Sequence, residues 1–197
     1  MKPEVFVVES RSPEETQHLG EHLARGCYAG LSLLLRGDLG SGKTEMARGF
    51  LAHLGYGRVR SPSFSLVHEY PTTPLVVHVD LYRLPEQQDL EDLGLEEYLL
   101  RGAVLLVEWP ERWKSPPQEN LWEVEFAFCE ALLTREFSLE TTRHRKITLR
   151  AWGSRAQVQL CRALELFCPM NDRTSACSVV LDDLQQISRE ARGEGAL

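Results

Sequence analysis

The chain has 197 residues, 43% of them apolar, and a net charge of −7 at pH 7. This length and composition suit one globular domain with an appendage, and the negative balance argues against a protein that coats nucleic acid through bulk charge. No apolar run approaches the roughly 18–20 residues of a membrane span, and Met1-Lys2-Pro3-Glu4 lacks the layout of a signal peptide. The five cysteines, at 27, 129, 161, 168 and 177, form no C-x-x-C pair. Reduced thiols in a cytoplasmic protein are therefore expected, with neither a zinc site nor a disulfide framework.

Val5 to Glu9 reads as a short β-like run. Ser12-Pro13-Glu14-Glu15 then makes a strong helix start: Ser12 as N-cap, Pro13 at the first helical position, and Glu15 to complete a capping box. Leu19, Leu23 and Ala24 give that helix its apolar stripe, which ends at Gly26. Leu31 to Leu35 is an apolar run that reads as a buried strand.

Gly37-Asp38-Leu39-Gly40-Ser41-Gly42-Lys43-Thr44 follows and fits the P-loop pattern G-x-x-x-x-G-K-[ST] at every fixed position. Lys43 to Gly55 leads out as a helix, with Met46, Ala47, Phe50, Leu51 and Leu54 at helical spacing. A strand, a glycine-rich turn and a helix N-terminus together make an anion site, because backbone N–H groups converge and the helix dipole adds favourable potential. Lys43 is expected to reach the β- and γ-phosphates, and the Thr44 hydroxyl to ligate Mg²⁺.

Arg58 to Val67 begins as a hydroxyl-rich loop carrying Ser61, Ser63 and Ser65, and becomes a strand ending near Tyr70. Nucleotide-binding proteins often put a phosphate-sensing switch after the P-loop helix, although composition alone is satisfied by a polar turn. Leu75 to Asp80 and Ala103 to Glu108 are two apolar strands, each ending in an acid. Ligands of parallel α/β sheets bind beyond the C-terminal ends of strands. A P-loop ATPase needs one acid for Mg²⁺ and can use another to position water, but spacing does not divide the roles between Asp80 and Glu108.

Pro85 to Leu100 reads as one or two short acidic helices broken at Gly94, most simply a solvated face or else a docking surface for a basic partner. Trp122 to Phe128, Glu136 to Leu139 and Lys146 to Trp152 are strand candidates; the basic stretch Thr141 to Lys146 between the last two could touch nucleotide, RNA or nothing, and a solvated turn is its simplest reading. Ser154 to Phe167 reads as an amphipathic helix with Val158, Leu160, Ala163, Leu164 and Phe167 inward. The expected division is a P-loop ATPase domain over 1–168 and a poorly ordered tail over 169–197, holding at most a short helix from Val179 to Glu190. The fold class is α/β: a P-loop NTPase-type sheet with flanking helices and additional C-terminal strands.

Five stretches narrow this reading: the P-loop, Ser61 to Val67, His78 to Leu84, Gly94 to Tyr98, and Val107-Glu108-Trp109-Pro110. Their order and spacing resemble the bacterial TsaE (YjeE) family, over roughly residues 5 to 152. The resemblance implies a small ATPase that binds ATP and Mg²⁺ and hydrolyses ATP slowly alone. It further implies docking on the TsaB–TsaD complex, which modifies tRNA with threonylcarbamoyladenosine, so that tRNA is met through the complex. By the same resemblance Leu39, Gly40, Ser41, Gly42, Lys43 and Thr44 hold the phosphates, and Thr44 and Glu108 serve the metal. Asp80 is the second essential acid near the γ-phosphate, Ser61 to Ser65 form the switch, and Trp109 is the aromatic beside the site. Ser12 and Arg145 match positions that approach the nucleotide; for Ser12, helix capping alone is the competing reading.

The chain also departs from the family pattern. Ser63 stands where the family usually has Thr, Ser41 replaces a common Ala, residues 129–143 exceed the usual turn, and the chain beyond about Trp152 has no counterpart. Two other P-loop classes fit less well. A small-molecule kinase needs an arginine-bearing lid, for which only Arg83 and Arg101 are near, and a GTPase needs an Asn-Lys-x-Asp base-reading motif, which this sequence lacks.

Overall fold

The computed structural model describes residues 4–62, 65–86, 89–129, 144–165 and 167. The strand expected at Glu136 to Leu139, the segment Thr141 to Arg143, Ser63 of the switch, and the C-terminal tail with its helix lie outside the described residues.

Among the described residues, seven strands form one sheet. In chain order the strands are β1 (Glu4–Ser10), β2 (Ser32–Gly37), β3 (Val67–Tyr70), β4 (Val76–Asp80), β5 (Val104–Glu108), β6 (Leu121–Phe128) and β7 (Arg145–Trp152). Across the sheet the order is β1-β7-β6-β2-β5-β4-β3. The inner four, β6, β2, β5 and β4, run parallel. The outer pairings, β1 on β7, β7 on β6, and β3 on β4, are antiparallel. The α/β class is thus the observed one, and the late strands do extend the sheet. The N-terminal strand joins them, pairing among the described residues only with β7.

Among the described residues four α-helices accompany the sheet: α1 (Pro13–Arg25), α2 (Lys43–His53), α3 (Leu95–Leu100) and α4 (Ser154–Glu165). The stripe Leu19, Leu23 and Ala24 of α1 is buried against Met46, Phe50 and Leu51 of α2, Leu160 and Leu164 of α4, and the sheet residues Leu33, Leu35, Leu106, Trp122 and Leu149. Trp122 donates its indole N–H to the Ala156 carbonyl at 2.8 Å, which satisfies a buried donor and ties β6 to α4. On the opposite face of β2, β4 and β5, a second core joins Leu34, Val77, Val79, Leu105 and Val107 to Leu90, Leu95 and Trp113. The opposite face of β6 and β7 carries charge instead: Arg150 meets Glu125 at 2.9 Å, and Arg36 pairs with Glu123.

The helices α1 and α2 touch through backbone. A β-carbon on Gly49 would stand 1.8 Å from the Gln17 carbonyl oxygen, and one on Gly20 would stand 2.2 Å from that of Met46. Two glycines therefore set how close the P-loop helix lies to α1.

Two local readings need correction. Ser12 does cap α1, accepting from the Glu15 N–H at 3.2 Å, but the Glu15 carboxylate reaches back to the Arg11 N–H at 2.7 Å and not to that of Ser12, so the box closes one residue early. Val158, expected inward, is 36% exposed. It stands two residues from both Ala156 and Leu160, which are buried, and at 100° per residue that is the far side of the helix.

Cys27 packs against the main core, and burial pushes its thiol up from 9.0 to about 11. The raised value means that the folded state holds this proton more tightly than the unfolded chain does, so stability falls as pH rises from about 9 towards 11. Iodoacetamide at pH 8 should accordingly label Cys27 slowly in the native protein and rapidly in urea, because the thiolate is the reactive form. Peptide mapping of the two reactions reads the difference.

Candidate active site

β2 runs into a turn in which Gly37, Gly40 and Gly42 all adopt positive φ, at 140°, 75° and 112°. That path is strained for any residue with a β-carbon, and it explains the three glycines. The turn delivers Lys43 and Thr44 to the first turn of α2. The Lys43 ammonium donates to the carbonyls of Gly37 (2.6 Å) and Asp38 (2.9 Å) and lies 3.9 Å from the centre of the Trp109 ring. Burial pushes its pKa down, and the carboxylates of Glu108, Glu111, Asp80 and Asp38 hold it part of the way back up.

The two acids arrive from neighbouring parallel strands. Asp80 and Glu108 are register partners at the C-terminal ends of β4 and β5, and both are buried. Glu108 accepts the Thr44 hydroxyl at 3.0 Å on each carboxylate oxygen, and His78 Nε2 lies 2.9 Å from Oε1. Asp80 accepts the Ser61 hydroxyl at 2.6 Å on Oδ2 and the Tyr82 N–H at 3.1 Å on Oδ1. Each acid thus addresses a different loop: Glu108 reaches the P-loop helix, and Asp80 reaches the serine loop. That loop is also held by Leu66, whose carbonyl accepts the Asp80 N–H at 2.9 Å and whose φ is +62°.

Trp109 follows Glu108 in left-handed backbone, with φ 61° and ψ 48°. The conformation is costly for an aromatic residue, and here it turns the ring back over Lys43 and against Tyr82, whose ring centre lies 4.9 Å away. Arg145, the first residue of β7, comes from the other side of the cleft. A β-carbon on Gly42 would lie 3.4 Å from its Nε, and that Nε is buried without a hydrogen-bond partner among the described residues. The basic stretch is therefore not wholly a solvated turn, because Arg145 enters the sheet through pairing with Ser10 and Phe128.

These groups enclose a cleft of about 440 Å³ lined by Leu39, Gly40, Gly42, Lys43, Thr44, Ser61, Asp80, Glu108, Trp109 and Arg145. Ser41 is buried behind the loop, and it adds backbone and no exposed side chain. Ser12 does not line the cleft; its hydroxyl caps α1, and its neighbour Pro13 takes that place. Sequence reasoning also passed over Arg48 and Tyr82, which line the cleft, and His78, which touches Glu108. His78 carried a signal: it lies two residues before Asp80 in a strand, so it projects from the same face.

The oxygen donors suit Mg²⁺. A hydroxyl and a carboxylate converge at Thr44 and Glu108, and no group of three His, Cys, Asp or Glu able to hold a metal occurs among the described residues. Mg²⁺ characteristically takes one or two protein oxygens and completes its shell with phosphate and water, so a two-donor site fits it.

Comparison with known proteins gives a consistent result. Residues 10–137 match the family described as "Threonylcarbamoyl adenosine biosynthesis protein TsaE". The Bacillus subtilis tRNA threonylcarbamoyladenosine biosynthesis protein TsaE is 37% identical over 156 residues, covering 78% of this chain and 89% of that one. The Haemophilus influenzae protein of the same name is 40% identical over 100 residues, 49% of this chain and 63% of the relative. The Aquifex aeolicus protein is 37% identical over 118 residues, 58% of this chain and 82% of the relative. The crystal structure of YdiB from Bacillus subtilis superposes with a TM-score of 0.64 at 27% identity, covering 84% of this chain and 97% of that chain. The chain belongs to the TsaE family of tRNA threonylcarbamoyladenosine biosynthesis proteins.

Proposed function

We propose that the cleft binds Mg·ATP, that the protein hydrolyses it as a weak ATPase, and that this cycle supports a TsaB–TsaD complex in the threonylcarbamoyladenosine modification of tRNA. The observation that carries the reading is the convergence on one polar cleft of Lys43 and Thr44 from the P-loop turn with Asp80 and Glu108 from the ends of β4 and β5.

The assignment of roles follows from the contacts. The P-loop N–H groups and the α2 N-terminus favour the phosphates, and Lys43 exchanges its carbonyl acceptors for phosphate oxygens. Thr44 and Glu108 are the metal-side donors. Bound Mg²⁺ would neutralise charge on the β- and γ-oxygens. Asp80 is tied to Ser61, so it orients water and senses the serine loop together. Arg145, whose Nε lies near Gly42 with no partner among the described residues, supplies a further cation from the opposite wall. Ser12 contributes indirectly, by fixing the start of α1 beside the cleft.

Reconstitution is the test. TsaB, TsaD and tRNA should sustain multiple rounds of modification with this protein and ATP, and should stall without either; equal turnover in their absence would refute the role. The two acids should separate. Glu108→Ala should weaken Mg²⁺-dependent nucleotide binding, whereas Asp80→Ala should retain binding and lose turnover by about 10²–10³-fold, the usual consequence of removing one positioned group. Matching binding defects in both variants would refute this division.

A further inference from the structure

His78 touches the acid placed on the metal side, and this scheme leaves it without a role. It is fully buried in β4. Its Nε2 stands 2.9 Å from Glu108 Oε1, and its Nδ1 is buried with no hydrogen-bond partner among the described residues. An apolar side chain would fill this position in the core without leaving a nitrogen unpaired, so packing alone does not explain an imidazole here.

The contacts determine where the ring proton sits. With the proton on Nδ1, a buried donor would go unsatisfied and the Nε2 lone pair would face a carboxylate oxygen. With the proton on Nε2, the ring donates to Glu108 and only a bare nitrogen lone pair is left over, the less costly arrangement. Glu108 then has two unlike oxygens. Among the described residues, Oε1 is held by both His78 and Thr44, while Oε2 is hydrogen-bonded by Thr44 alone.

We propose that His78 is a positioning residue for the metal site. As an Nε2–H donor it pins Oε1 of Glu108, fixes the carboxylate plane across the β4–β5 pair, and keeps Oε2 available to a divalent cation or its water. This rests on the Mg·nucleotide reading above. Outer donors that orient a ligating carboxylate typically change metal affinity by about 10–100-fold when removed.

Titration of Mg²⁺, and separately of Mn²⁺, into the ADP-bound protein is the direct measurement. Expected is a shift of about 10–100-fold to weaker metal affinity in His78→Leu, with metal-free ADP binding unchanged. His78→Gln, whose amide nitrogen can reach the Nε2 position, should recover most of the loss; a buried residue of purely structural importance would give no such rescue of metal affinity. Wild-type metal affinity in a folded His78→Leu, or a folded His78→Gln no better than His78→Leu, would overturn the proposal. If both variants fail to fold, ¹⁵N NMR of the wild-type imidazole decides: Nε2–H is expected, and a proton on Nδ1 alone overturns it. A wild-type protein that binds no ADP would sink the functional reading instead, and the NMR result would still test the hydrogen bond.

Discussion

Lys43→Ala should fold, melt cooperatively and lose ATP hydrolysis by about 10²–10³-fold or more, the scale seen when one preorganised donor is removed from a reaction that develops charge. The fold should survive because the ammonium donates to the carbonyls of Gly37 and Asp38 in its own loop and otherwise rests on the Trp109 ring, and because burial already lowers its pKa. Removing it therefore relieves a desolvation cost as well as losing two hydrogen bonds. Catalysis should not survive, because no other cation lies within the P-loop itself, and Arg145 and Arg48 approach from its sides. Lys43→Arg should not restore the rate: a planar fork does not replace a compact ammonium at this depth. Steady-state hydrolysis and thermal melting of the three proteins provide the check, and a wild-type rate in Lys43→Ala would remove the P-loop from the mechanism.

Gly49→Ala should lose much stability, because a β-carbon there meets the closest clash among the described glycines. The added carbon would stand 1.8 Å from the Gln17 carbonyl oxygen and 2.7 Å from its Cα, and backbone offers no rotamer to relieve the clash. Alanine normally improves a helix interior by up to about 1 kcal/mol over glycine. Against that, overpacking costs about 1–3 kcal/mol and sometimes more, and here α1 must move away from α2. A net loss of about 3 kcal/mol would lower the melting temperature by roughly 10 °C in a domain of this size. Gly57→Ala is the control: its added carbon meets nothing within 4 Å, and its melting point should hold or rise slightly. Equal melting points for Gly49→Ala and the wild-type protein would mean that the helices do not pack by backbone contact.

The difference between these two residues marks what sequence could convey. Lys43, Asp80 and Glu108 were legible because each ends or begins a local pattern: an apolar run, then a glycine turn or an acid. Those patterns depend on neighbours in the chain. Gly20 and Gly49 lie inside helices, where glycine is a poor former, and their reason lies in the other helix. The same holds for Arg145. A basic turn and the first residue of a strand look alike until the pairing with Ser10 and Phe128 is known. Ser12 was ambiguous for the opposite reason: its local role as a cap was complete in itself and masked whether it had another. Val158 was a plain error of phase. Apolar character drew it inward although its position on the helix turns it outward.

The pairing of β1 solely with β7 bears on how the chain is made. Among the described elements β1 is the first to be synthesised, yet its partner strand follows all of β2 to β6. During synthesis its edge must wait unpaired while the P-loop, the two acidic strands and β6 are produced. Contacts this distant in sequence slow folding, because the loop they close must be ordered first. Arg145 opens β7, so the cleft gains its wall from that side only when the late strand docks. A nascent chain halted before that point carries a complete phosphate-binding motif without the arginine above it. The wall that Arg145 adds to the cleft is in this sense acquired late in synthesis, when β7 docks between β1 and β6.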